Sequence, residues 1–321
     1  MFVGYVDTAT ALSISGPAWN ATDNKPTTVV MVFPDGSHRR IPANLPRPDV
    51  AEKLRTDTRC GFAFTPTVTE TYAGCYSIQF EDGTLVPNGT IYIEAEPIRE
   101  LVEGRWRRDE PEADLTWGRI MTGDSFVDFM LRNGVSARDP QKYLEIGPGY
   151  GRILRSLLDR DCRIARYLGI ELSWARTRRL KASFAENCPN IDFQCASCET
   201  VAVNETFDLV FSSSTFEHLH PDFSIALNNI GKYVVRGGDV YIDFIQRDDE
   251  GKTRSSTFET GAFVRVYSID EITALFNHCG IAINAIESIV LGEGNRGDGA
   301  AIPIKRIAVA GRMERSDLIQ L

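Results

Sequence analysis

The chain has 321 residues, of which 35 are basic and 44 acidic, for a net charge of −9, and 43% are hydrophobic. That length suits two domains rather than one, and 26 glycines with 15 prolines leave no room for a collagen-like or low-complexity class. The acidic balance opposes phosphate backbones and anionic membranes, so nucleic acid is not an expected partner.

No run of 18 apolar residues exists, and the N-terminus MFVGYVDTATALSISG lacks a basic stretch followed by an apolar core. A cytoplasmic chain without an integral membrane segment is expected. The seven cysteines are scattered and odd in number, as free thiols would be. Cys195 and Cys198 have no second pair at zinc spacing, so no metal is expected there.

Residues 1–96 read as short strands separated by turns. Apolar or β-branched stretches at 27–33, 61–64, 76–80 and 90–93 alternate with PDG (34–36), EDG (81–83) and PNG (87–89), a spacing that predicts an all-β sandwich. Residues 97–113 are charged and interrupted by Pro97, Gly104 and Pro111, as a linker is. From 114 to 321 strands alternate with helices, the pattern of a parallel sheet covered on both faces. A helix or helix pair over 114–133 leads it. The strands are KYLEIG, RYLGIEL, IDFQCA, FDLVFSS, GDVYIDFI, INAIESIVLG and IKRIAVAGR, with Gly237 and Gly238 ending the helix before the fifth.

The first of these strands runs into Gly147, Pro148, Gly149, Tyr150 and Gly151 and then a helix. Glycines suit a sharp strand-to-helix turn that a ligand approaches closely. A dinucleotide fingerprint needs GxGxxG, but here the third glycine comes one residue early and Arg152 takes its place. Glu171 ends the second strand 20 residues after Gly151, where an acid accepts from ribose hydroxyls. Glu145, two residues before the loop, would repel phosphate and suit a ligand bearing positive charge, such as a sulfonium with its ammonium group.

YLEIGPGYG, GIELS, FDLVFSSSTFEHL and GGDVYIDFI, in this order, resemble the motif set of class I S-adenosylmethionine-dependent methyltransferases over about residues 114–312. The resemblance implies a Rossmann-like α/β domain with a mostly parallel seven-stranded sheet and S-adenosylmethionine as cofactor. It implies further that Glu145, Gly147, Gly149, Tyr150 and Gly151 surround the methionine moiety, that Glu171 holds the ribose and that Leu172 borders the adenine. Ser197 or nearby backbone, with Cys198, stands in for the aspartate common in that family, and Trp117 lies where it places a lid.

Beyond the fourth strand, Ser212 to His220 should face the donor, because ligands bind outside the carboxyl ends of parallel strands. His218 is the candidate base for an alcohol acceptor, since imidazole titrates near neutrality. Glu217 and Asp243 are further catalytic candidates, and His220, Arg254, Arg265 and Tyr267 are candidates for acceptor binding. Ser214 stands where some relatives carry the first Glu of a magnesium set. SISGPAWN, PTTVVMVFPDGSHRR, RPDVAEKL and CGFAF are similar to a β-sandwich module of bacterial glycan-assembly proteins, which implies a sugar or glycan hydroxyl as acceptor. The expectation is thus an O-methyltransferase of saccharides, with homo-oligomers open. The alternatives are a small-molecule or carboxylate methyltransferase with a structural sandwich, and a non-catalytic donor- or glycan-binding subunit.

Overall fold

The structure is a computed structural model and describes residues 1–10, 13–54, 59–65, 73–107, 121–186, 188–246, 254–257, 263–295 and 301–314. It divides into two compact units, residues 1–102 and 103–321.

In the first unit burial follows the period-two alternation of a strand: Val29 and Met31 of Thr28–Val32 are buried and their neighbours half-buried. Strands Phe2–Gly4, Ser13–Asn20, Arg59–Phe64 and Leu45–Pro46 form one antiparallel sheet, which Thr8–Thr10 and Lys25–Pro26 join at Ser13–Asn20. Leu85–Ile93, Gly74–Phe80, Thr28–Val32 and His38–Pro42 form the other. Ile14 and Phe62 from the first sheet and Val29, Met31, Tyr76 and Ile78 from the second share one buried core. Trp19 is buried beside Val50 and Cys60 and so serves packing.

Three expectations need correction here. The unit is not purely β, because Pro48–Leu54 is a helix, begun by a proline at its first position and an aspartate in its first turn. The PNG at 87–89 does not reverse the chain. It lies inside Leu85–Ile93 where the register slips, and Asn88 at φ 59° takes up the bulge. The stretch expected as a linker is helical in its first half, as α1, Ala95–Trp106.

In the second unit, the strands β1 (Gln141–Ile146), β2 (Ile164–Glu171), β3 (Ile191–Cys195), β4 (Phe207–Ser212), β5 (Val234–Ile245), β6 (Ile281–Asn295) and β7 (Ala301–Met313) form one sheet. Its order is β3-β2-β1-β4-β5-β7-β6, with β1 to β5 parallel and the last two antiparallel. Neighbouring side chains of β1 and β4 point to opposite faces, and each face meets its own helices. Tyr143, Leu209 and Phe211 pack on α2 (Asp124–Arg132), α3 (Arg152–Asp159) and α4 (Trp174–Leu180). Leu144, Ile146 and Val210 pack on α5 (Ser224–Gly231) and α6 (Ile269–His278). Burial of each such side chain stabilises by about 1.5–3 kcal/mol.

Gly237 and Gly238 do not end the helix before β5. Helix α5 stops at Gly231, and Gly237 at φ 78° lies inside β5 at the register shift against β4. Among the described residues no helix is long and apolar enough to cross a membrane.

Candidate active site

The parallel pairing brings the carboxyl ends of β1, β2 and β4 side by side, with Glu145 opposite Phe211 and Glu171 opposite Cys195 on β3. The loop after β1 turns back tightly, Gly147 N–H donating to Ile170 O (2.9 Å) and Gly151 N–H to Pro148 O (2.8 Å). A Cβ at Gly147 would lie 2.2 Å from Thr215 Oγ1, and its φ of 68° is in the left-handed region, so no other residue fits. A Cβ at Gly149 would meet nothing within 4 Å. The loop is therefore packed at its base and open at its centre, which is how a backbone cradle receives a ligand. Tyr150 is half-buried in it, and Ser212 Oγ ties β4 to β1 by donating to Ile146 O at 2.8 Å.

Glu171, nearly fully buried, faces this opening. It accepts from Gly149 N–H (3.0 Å), Ser173 N–H (2.9 Å) and Arg176 Nε (3.0 Å). These take three of the roughly four lone-pair directions of a carboxylate, and one stays available on the oxygen that Gly149 shares. Arg176 reaches on to the carbonyl of Trp106 at 2.5 Å. Ser197 Oγ donates to Glu103 in the same last turn of α1. Leu172 is half-buried, and its carbonyl accepts from Cys195 Sγ. Cys198 is packed in the core against the α5 face, and burial pushes its thiol well above the ordinary range. Trp117 lies outside the described residues.

Glu145 is buried and accepts a hydrogen bond from Tyr167 Oη. Burial raises its pKa to about 7 against the opposing pull of Tyr167 and Arg152. Burial thus favours its protonated form up to near neutrality, and a cation would favour its charged form.

The chain after β4 builds a buried polar cluster. Arg152, at the start of α3, donates to Ser213 Oγ (2.5 Å), and Ser213 donates to Asp243. Asp243 also accepts from Ser214 N–H (2.9 Å) and from Arg306 through Nε (2.9 Å) and a terminal nitrogen (2.7 Å). Arg306, on β7, reaches Glu217 as well at 2.6 Å. Burial opposes the charge of Arg306, but Asp243 and Glu217 more than compensate and hold its pKa above the ordinary value. Four hydrogen bonds thus converge on Asp243, a catalytic candidate from the sequence, and tie it into this network. Glu217 keeps one oxygen, Oε2, that is buried and bears no hydrogen bond among the described residues.

His218 follows in the turn Phe216–His218. Its Nδ1 lies 2.8 Å from Phe263 O, a carbonyl that can only accept, so Nδ1 carries the proton and Nε2 the lone pair. The Trp106 ring lies over the imidazole, with centroids 4.2 Å apart. Burial lowers the imidazole pKa below its usual 6.5, so the ring is neutral at pH 7.

The residues expected to bind acceptor lie in and beside the strands after β5. His220 makes an edge contact with Phe263 (5.0 Å). Arg265 pairs with Glu271 and donates to Pro221 O (2.7 Å), which closes the hairpin onto α6. Tyr267 packs among Phe223 and Phe244 in the core. Arg254 lies in the strand Arg254–Thr257, which pairs with Phe263–Val266. The structure adds Trp106, Arg152, Arg176, Ser213 and Arg306 to the site.

Residues 144–238, which contain the glycine loop, Glu171 and His218, match the family described as a methyltransferase domain. The chain matches that family over less than a third of its length. It is an enzyme of methyl transfer, and S-adenosylmethionine is the cofactor. The open centre at Gly149 and the remaining acceptor on Glu171 fit that group. No curated protein matches the sequence. Among solved structures, the domain is similar to the Burkholderia thailandensis 1,6-didemethyltoxoflavin-N1-methyltransferase, with 14% identity, 64% of this chain and 83% of that chain covered, and a TM-score of 0.50. It is also similar to an S-adenosylmethionine-dependent methyltransferase from Mesorhizobium loti (15% identity, 57% and 95% covered, TM-score 0.44) and to the glycopeptide N-methyltransferase MtfA (16%, 64% and 99%, 0.45). At such identities the first likeness shows the fold alone.

Proposed function

We propose that this methyltransferase transfers the methyl group to a hydroxyl of a saccharide or glycan precursor, with His218 as the general base. S-adenosylmethionine, when bound, supplies an electrophilic methyl group. The residues of the chain do the rest: Glu171 and the loop amides orient the donor, the buried cluster fixes the turn that carries His218, and His218 Nε2 takes the hydroxyl proton. The observation that carries this proposal is the imidazole itself. The carbonyl of Phe263 fixes its tautomer and burial keeps it neutral at pH 7, the state a base needs. The saccharide class rests on the resemblance of residues 1–96 to glycan-assembly modules.

His218→Ala should leave affinity for S-adenosylhomocysteine, measured by titration calorimetry, nearly unchanged while kcat falls by about 10² or more. In the wild type, kcat should decline as pH falls below the ordinary imidazole pKa, because protonation removes the lone pair, and the mutant should lack that acid limb. A carboxylate acceptor needs no base, so a mutant with wild-type kcat would replace the hydroxyl by that chemistry.

A further inference from the structure

Two buried polar atoms beside His218 bear no hydrogen bond among the described residues: Trp106 Nε1, a donor, and Glu217 Oε2, an acceptor. Orphans of this kind are rare in proteins and call for an explanation. Here they have opposite polarity and flank the same imidazole. The Trp106 ring lies against the His218 ring at a tilt of 41°, and Glu217 Oε1 lies 4.0 Å from His218 Nε2. The rest of the cluster is saturated, since Asp243 takes Ser213, Ser214 and both contacts from Arg306, while Glu217 Oε1 takes Arg306. Among the described residues, Glu217 Oε2 is the acceptor and Trp106 Nε1 the donor that remain without a partner beside the imidazole.

We propose that these two atoms select the acceptor. Glu217 Oε2 accepts from a hydroxyl adjacent to the one methylated, and the Trp106 N–H donates to another oxygen of the same molecule, so that the site recognises a vicinal diol. This deepens the saccharide reading and rests on it. Charge explains why the partner of Glu217 is a hydroxyl and not an ammonium. Arg152 and Arg306 already balance Asp243 and Glu217 within the cluster. An added cation would sit against Arg306 on the same carboxylate, whereas a neutral O–H fills the lone pair without unbalancing the charge. Trp106 and Glu217 are then specificity residues, and His218 acts between them.

The test uses methyl glycosides with a vicinal diol, the matching monodeoxy glycosides, and saturating S-adenosylmethionine, with release of S-adenosylhomocysteine as the readout. The wild type should prefer the diol over the deoxy compound by about tenfold or more in kcat/KM, the size expected for losing one hydrogen bond to a carboxylate. Trp106→Phe keeps a ring over His218 and removes only the N–H. It should raise KM for the diol glycoside about tenfold, with kcat and S-adenosylhomocysteine affinity little changed. Glu217→Gln keeps an oxygen for Arg306 and turns the second position into a donor, so the diol preference should vanish. Should that variant fail to fold, Trp106→Phe and the deoxy series still decide.

Equal turnover of diol and deoxy glycosides, or an unaltered KM in Trp106→Phe, would overturn the inference and leave hydroxyl methylation standing. A wild type that methylates no glycoside, while methylating a carboxylate or amine, would overturn the saccharide reading and the inference with it.

Discussion

Glu145 offers a stability measurement that separates burial from ion pairing. The carboxyl is fully enclosed, burial raises its pKa from 4.5 to about 7, and Tyr167 and Arg152 oppose that rise only in part. Because the folded pKa lies above the unfolded one, the folded chain binds more protons than the unfolded chain between pH 4.5 and about 7. The group's contribution is therefore fully present below pH 4.5 and is lost as pH rises through 7. Each unit of pKa corresponds to 1.36 kcal/mol, so the full loss is about 3 kcal/mol, most of it falling between pH 5 and pH 8. Glu145→Gln keeps an acceptor for Tyr167 and removes the titration. Urea unfolding of wild type and mutant at pH 5 and pH 8 should show the mutant gaining on the wild type by about 2–3 kcal/mol over that interval. Taking the difference between the two proteins cancels His218, whose lowered pKa makes stability rise with pH up to the ordinary imidazole value. A difference independent of pH would refute the reasoning, because it would mean that Arg152 keeps Glu145 charged in the folded protein throughout.

Other expectations follow from the packing of the site. Gly147→Ala places a Cβ 2.2 Å from Thr215 Oγ1 at a positive φ, and thermal unfolding should report a loss of about 2 kcal/mol or more, partly restored by Thr215→Gly in the same chain. Arg306→Met leaves Asp243 and Glu217 buried without their cation and should cost about 3–5 kcal/mol in urea unfolding. A loss under about 1 kcal/mol would mean that the two carboxylates share a proton instead. A chain beginning at Glu103 retains both core layers of the sheet and should unfold cooperatively and bind S-adenosylhomocysteine, whereas insolubility would show that the first unit covers part of its surface.

The parts of the site that could be read in the sequence are those whose signal is local. A strand that runs into glycines and then a helix announces a backbone cradle, and an acid at the end of the next strand announces its partner. In the structure Gly147 packs against Thr215, and Gly149 N–H donates to Glu171. His218 could be named because the turn that carries it follows β4 directly. The errors arise where one dipeptide or tripeptide has two physical uses. Gly237 ends no helix and PNG makes no hairpin, since a residue that tolerates positive φ serves a bulge as well as a turn. The stretch before the sheet shows a different limit. Trp106 and Trp117 both lie in a charged, aperiodic stretch, and nothing local says which of them reaches His218. Arg306 did leave a trace. In β7 it falls in phase with Ala308 and Ala310, which face the buried α2 and α3 layer, so the alternation itself places a guanidinium inside the protein. A buried arginine must find carboxylates, and the acids one strand over and one turn away, Asp243 and Glu217, are the two that the sequence had offered as catalysts. An inward arginine on β7 thus draws Asp243 and Glu217 into one buried ion-pair network and leaves Glu217 Oε2, beside His218, without a hydrogen bond among the described residues.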